Sequence, residues 1–265
     1  MSVRSIEKTL DTLDYFLRKD ARNGIALKEI CDELGYKKSA AHHMLSTICD
    51  KGYLYQDLKT KKYLLGSKFL KFTKLMPHSK SAFTNFSFSH LKKINDKTGE
   101  AVHLATFEGS KLITLKMIES KHPVRVDQGF LNKDNAFHAT ASGKAILAFL
   151  DNEKRKKILK NGLYKFTDKT HVSLNALEQE LYRIKKNGFA YDDEEFQEGV
   201  FCIGFPIFDN NGNPYASVSC SSPKFKIRDN KNYIEKIRVS VAVSANEISK
   251  YFKQNKKKGE KHAAW

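Results

Sequence analysis

Residues 188–223 read GFAYDDEEFQEGVFCIGFPIFDNNGNPYASVSCSSP. An acidic turn, Asp192-Asp193-Glu194-Glu195, opens the stretch. Two apolar runs follow, Val200–Phe208 and Tyr215–Ser221, separated by Asp209-Asn210-Asn211-Gly212-Asn213. Asn, Asp and Gly between two such runs predict a β-hairpin. Side chains alternate across a strand, so Phe201, Ile203, Phe205 and Ile207 share one face with Ala216, Val218 and Cys220. The other face carries Cys202, Gly204, Ser217, Ser219 and Ser221. The first face is bulky and apolar, as a core side is. The second is small and lightly polar. It leaves either a hollow that suits a small polar ligand, or a surface lying under a helix.

The same stretch resembles the signature of the isocitrate lyase regulator (IclR) family of bacterial transcription factors. The resemblance rests on Gly188, Asp192 and Glu195, then the triplet Cys202-Ile203-Gly204, then Ile207-Phe208-Asp209. So many residue types over about twenty ungapped positions make the match specific.

The chain has 265 residues, 40% of them hydrophobic, which suffices for one or two cored domains. Its formal net charge is +17, which favours a polyanionic partner. Residues 1–80 hold 16 basic and 9 acidic side chains, and residues 251–265 hold 5 and 1, so the excess is densest at the ends. Four cysteines, Cys31, Cys49, Cys202 and Cys220, form no CxxC pair. With no secretory signal and no long apolar run, the expectation is a cytoplasmic protein with free thiols and no membrane contact. His42 and His43 are adjacent, so on a helix they diverge and do not chelate like an i, i+4 pair. No metal site, cofactor or catalytic residue is assigned.

From the N-terminus, Ser5–Lys19 reads as an amphipathic helix capped by Ser5, with Ile6, Leu10, Leu13 and Leu17 inward. Leu27–Leu34 is a second helix, ended by Gly35. Ser39–Lys51 is a third, with Ala41, Leu45 and Ile48 inward. A small hairpin follows, with Lys59, Lys61 and Lys62 at its tip. Three short helices and a basic hairpin make the winged helix-turn-helix pattern. The third helix would enter the major groove of double-stranded DNA, presenting Lys37, Lys38, Ser39, Ala40, His42 and His43. The resemblance adds Arg4, Lys38-Ser39 and Lys51-Gly52, which stand where the family's winged helix has such residues. His43 departs from it, since the family usually has arginine there.

Ser67–Met76 reads as a helix apolar over much of its surface, stopped by Pro77, with a domain boundary in the short polar stretch 78–82. Ala82–Lys97 is a helix closed by Gly99. Glu100–Phe107 and Lys111–Ile118 form a hairpin, and a further strand is expected over Val124–Phe130. The small-residue loop from His138 enters an apolar helix for which Ser142 is the expected cap. Its Gly143-Lys144 lacks the glycine spacing of a phosphate loop. Helices Asn152–Lys160, Asn175–Asn187 and Asn232–Phe252 complete the chain before a basic tail.

The resemblance covers roughly residues 3–252. It implies an α+β protein: a winged helix-turn-helix over 1–66, a linker helix over 67–80, a GAF-like effector domain with an antiparallel sheet over 81–252, and a basic tail over 253–265. It implies homodimers or dimers of dimers on a DNA operator, with the linker helix pairing between subunits. It maps a pocket for a small-molecule effector, often a carboxylate, onto Ala141, Ser142, Asp192, Val200, Cys202, Ser219 and Ser221. Alternation independently puts Cys202, Ser219 and Ser221 on one face. Two other functions stay open. One is an enzyme with Cys202 as nucleophile, which the neighbouring carboxylates disfavour by raising a thiol pKa. The other is a charge-driven, non-specific nucleic-acid binder.

Overall fold

The structure is a computed structural model that describes residues 3–19, 21–75, 78–126, 136–228 and 230–256. They divide into two compact units, one ending at His78 and the other starting at Ser79.

In the first unit, α1 (Arg4–Arg18), α2 (Leu27–Leu34) and α3 (Lys38–Asp50) precede a two-stranded sheet of β1 (Leu54–Gln56) and β2 (Tyr63–Leu65). Gly35 takes the left-handed conformation that ends α2, so the chain turns sharply into α3. Tyr15, Phe16, Ile25, Ile30, Leu45, Ile48, Leu54 and Tyr63 form the core. In α3, Ala41, Leu45 and Ile48 are buried as expected. In α1 the expected inward stripe holds only at Leu13, which packs against the core. Thr12, Tyr15 and Phe16 are buried, whereas Ile6, Leu10 and Leu17 are exposed. Apolar residues occupy two sides of this helix, and the aromatic side packs into the unit. Ser5 is not the cap either; it lies within the helix, behind Val3.

The helix expected at Ser67–Met76 is α4 (Lys68–Leu75), and Met76 and Pro77 lie outside the described residues. Tyr53 stacks on Phe72 and meets Phe69 edge-on at 5.5 Å, and the Lys68 ammonium lies over the same ring. One side of α4 therefore docks on its own unit, while Leu70 and Phe72 remain 66% and 47% exposed.

The second unit begins in α5 (His78–Thr98), which runs through the stretch read as a polar boundary. Residues 78–82 contain no glycine or proline, so nothing there stops a helix. β3 (Ala101–Glu108), β4 (Lys111–Ile118), β5 (Ala190–Asp193), β6 (Val200–Phe208) and β7 (Pro214–Pro223) form one antiparallel sheet in the order β4-β3-β7-β6-β5. β6 has the boundaries that alternation predicts. β5 is hidden in what reads only as the approach to an acidic turn. Val124–Val126 are not strand, and the rest of that expected strand lies outside the described residues.

Helix α9 (Lys231–Lys256) and α5 cover the bulky face of the sheet. Ile203, Ile207, Val218 and Cys220 pack there with Leu91, Ile94, Val241 and Ile248. α9 continues four residues into the segment read as a tail; residues 257–265 lie outside the described part. The opposite face receives α6 (Ala141–Leu147), α7 (Asn152–Ile158) and α8 (Leu174–Asn187), through a second core that includes Ala105, Ala145, Ile146, Leu177, Leu181 and Ala190.

Candidate functional site

Two surfaces carry the residues expected to bear on function, one in each unit. On the first, Lys38, Ser39, Ala40, His42 and His43 are all exposed on α3, and Lys37 precedes it as its cap residue. Ser46 and Thr47, one turn beyond His42 and His43, are exposed too. They extend that face, and the buried spacing Ala41-Leu45-Ile48 is the signal that could have revealed them. Arg4 is the exposed first residue of α1.

The hairpin β1–β2 is closed by Asp57, whose carboxylate accepts from the Lys59 and Thr60 amides and the Thr60 hydroxyl. Those bonds hold the Asp57 carboxyl below its usual value. The tip presents Leu58, Lys59, Thr60 and Lys61 to solvent. Lys62 departs from the expectation: it is half-buried at the base, its stem against Gly24.

In the second unit, strand register assembles a floor of two rows. One row runs Ala101, Ser221, Cys202 and Asp192 across β3, β7, β6 and β5. The next runs Met117, His103, Ser219, Gly204 and Ala190 from β4 to β5. Directly opposed residues of antiparallel strands share a face, so these side chains lie on the α6 side. The Ser142 hydroxyl donates to Ser219 Oγ at 2.8 Å, and the Cys202 thiol donates to Ser221 Oγ at 3.1 Å. Ala141, Val200 and Cys202 pack together, with Val126 against them. All seven residues mapped as an effector pocket are buried.

The packing decides one alternative, corrects one expectation and adds one pair of bonds. First, of the two alternatives for the small face, the structure shows a surface under a helix along part of its length, where the first turn of α6 rests on it. A Cβ on Gly204 would stand 2.6 Å from the Ala141 carbonyl oxygen. Only glycine at that position lets helix and sheet approach so closely. Second, the cap of α6 is Thr140, whose Oγ1 accepts from the Gly143 amide; Ser142 is inside the helix and turned to Ser219. Third, Asp192 serves the turn that follows it. Its Oδ1 accepts from the Glu195 and Phe196 amides at 2.9 and 3.2 Å.

Lys144, which carries no expected role, is fully buried. Its ammonium donates to both Glu195 oxygens, at 2.5 and 2.7 Å, and to Glu180 at 3.3 Å. His171, Glu180 and Glu195 bring ligand atoms within 4.8 Å of one another, as a metal site does. The cation these carboxylates share here is Lys144. Burial pushes the Glu195 carboxyl up to about 7, against the lowering by Lys144. Burial also pushes His171 down. Thr167 and Thr170 hydroxyls donate to the Glu195 carbonyl. The pair thus ties α6 to the turn after Asp192. Its signal in sequence is weak, since a lysine after glycine at a helix start usually reads as solvated, and its partner is 51 residues away.

Residues 82–250 match the family model of the bacterial transcriptional regulator IclR C-terminal domain, and residues 5–58 that of the IclR helix-turn-helix domain. The chain belongs to the IclR family. Regulators of the IclR family are DNA-binding and ligand-responsive, and this chain carries both of their domains. It is 27% identical to the transcriptional repressor IclR of Escherichia coli K12, over 93% of this chain and 89% of the relative. It is 26% identical to the regulator KdgR of the same organism, over 78% of each. Among solved structures, the IclR of Thermotoga maritima shares 29% identity with a TM-score of 0.72, covering 94% of this chain and 98% of that one. An IclR homologue from Microbacterium hydrocarbonoxydans, solved with 4-hydroxybenzoate, has the same fold at 18% identity and a TM-score of 0.75, over 94% and 99% of the two chains. Among the described residues no helix is long and apolar enough to cross a membrane.

Proposed function

We propose that this IclR-family regulator reads an operator in double-stranded DNA through α3 and the β1–β2 wing, and that a small monocarboxylate bound in its GAF-like domain sets its operator affinity. The effector site comprises Ala141, Ser142, Asp192, Val200, Cys202, Ser219 and Ser221. The observation that carries this reading is the sheet floor: two serine hydroxyls, a thiol and a carboxylate converge beneath α6. Asp192 would repel a second carboxylate, so it takes a ligand hydroxyl or a bridging water. The 4-hydroxybenzoate held by the Microbacterium homologue, a monocarboxylate with a hydroxyl, supports this class. The protein acts in the cytoplasm as a regulator and not as an enzyme. The Cys202 thiol is engaged with a serine hydroxyl, which is no general base.

A thermal-shift screen of small organic acids supplies the ligand, and calorimetry then tests the site. Ser219→Leu or Ser221→Leu fills the floor and abolishes binding, with DNA binding retained. Equal ligand affinity in all three proteins would put the site elsewhere.

The regulator works as a homodimer or a dimer of dimers, pairing through α4 and the exposed apolar side of α1. Leu70, Phe72, Ile6, Leu10 and Leu17 stay exposed on a single chain, an arrangement that favours covering by a second copy. Leu70→Glu combined with Leu10→Glu yields monomers in light scattering. Phe69 is left alone because it packs on Tyr53. A dimer that persists in this variant means the pairing lies elsewhere.

A further inference from the structure

We infer that His103 is a ligand-contacting residue of the effector site, and that it makes the site select a carboxylate over a neutral ligand of the same shape. The inference rests on the effector site proposed above and adds a residue that neither alternation along the hairpin nor the family resemblance assigns.

His103 stands directly opposite Ser219 on β7 and Met117 on β4. Such pairs place their Cβ atoms about 4.5–5.5 Å apart on one face. Its neighbours in sequence establish which face. Val102 and Leu104 belong to the core under α5 and α9, so His103 faces the other way. Ala105, two residues on, packs with Ala145 and Ile146 of α6. Ser219 bonds to Ser142 of the same helix. The imidazole therefore shares the serine-lined floor beneath the first turn of α6, and it is 3% exposed.

The site needs such a group for an anion. Serine hydroxyls and a thiol supply neutral donors, and Asp192 supplies negative charge. The Lys144 ammonium is held by Glu195 and Glu180. An imidazole beside Ser219 can donate a hydrogen bond and take up a proton as a carboxylate arrives. A charge-assisted bond in a buried place is stronger than a neutral one. The polarity also orients the ligand. Its carboxylate lies toward His103 and Ser219, and its hydroxyl end toward Asp192, which is three strands from His103 and two from Ser219.

The test uses the full chain and paired probes: acetate with acetamide, benzoate with benzamide, and 4-hydroxybenzoate with 4-hydroxybenzamide. Each is titrated calorimetrically into the parent protein and into His103→Leu, His103→Gln and Ser221→Leu. The parent prefers one or more acids over the matching amide by about tenfold or more. His103→Leu loses that preference while its amide affinity stays within about twofold, and His103→Gln is intermediate because it keeps a neutral donor. A proton NMR signal that is absent in His103→Gln shifts on adding the acid and not the amide, which a purely structural histidine would not show. If Ser221→Leu abolishes binding and the histidine variants keep the full acid preference, this inference falls and the site stands. If neither substitution alters binding, or no acid binds the parent, the site falls with it.

Discussion

Replacing Lys144 with Met lowers the stability of the C-terminal unit by about 3–5 kcal/mol at pH 8, the size expected when one partner of a buried ion pair is removed. Lys144 is fully buried on Glu195, so its loss leaves a carboxylate with no cation beside it. The loss depends on pH, and its sign follows from Glu195. Burial raises that carboxyl from 4.5 to about 7 in the folded protein. A group with a raised folded pKa contributes its stability fully below the unfolded value, and loses it as pH rises through the folded pKa. In the parent this decline spans pH 4.5 to about 7. Without Lys144, which lowers the value, the folded pKa moves higher and the decline extends upward. The variant is therefore close to the parent near pH 5 and far below it at pH 8. Lys144→Met with Glu195→Gln recovers most of the loss, since a neutral pair of similar volume needs no buried counter-charge. Thermal unfolding followed by circular dichroism at both pH values decides this. A pH-independent loss would assign Lys144 a packing role only.

Reversing Lys59 and Lys61 to Glu weakens binding to every DNA sequence. The slope of log affinity against log salt flattens by about 0.9 for each phosphate no longer neutralised, so by about 1.8 for two. Both side chains project from a wing tip held by the Asp57 bonds. Lys62→Glu has the smaller effect, since Lys62 is half-buried at the base. Substituting Ala40 or His43, both exposed on α3, instead changes which sequences are preferred, because base contacts specify and phosphate contacts position. Anisotropy titrations of selected and random duplexes at several salt concentrations separate the two behaviours. Identical behaviour of wing and helix variants contradicts the division of roles.

What is legible in the sequence follows from local physics. The ends of β6 can be read because Val200–Phe208 alternates cleanly between glycine and the Asp-Asn turn. α2 is equally clear because Gly35 ends it. β5 escapes because its four residues, Ala190–Asp193, are too few to show a period and end in acids that look like a turn. The buried side of α1 is ambiguous because apolar residues line two sides of it, and only packing chooses between Leu10 and Phe16. The small face is legible along each strand of the hairpin, and hidden across the sheet. His103 joins Ser219 only through the register of β3, whose pairing spans 116 residues of chain. Lys144 and Glu195 meet only because α6 packs against the turn after β5, 51 residues on. Distant pairing carries no period in sequence, so neither contact is open to a local reading.

The central claim is that ligand occupancy and operator affinity are coupled. It is tested by measuring the affinity of the full-length protein for a self-selected operator duplex, with and without a saturating monocarboxylate, in the parent and in Ser221→Leu. The account predicts a shift in the parent worth about 1–3 kcal/mol, or several-fold to about a hundredfold in affinity, and none in Ser221→Leu. An unchanged affinity in the parent with an acid that demonstrably binds, or an equal shift in Ser221→Leu, would contradict it.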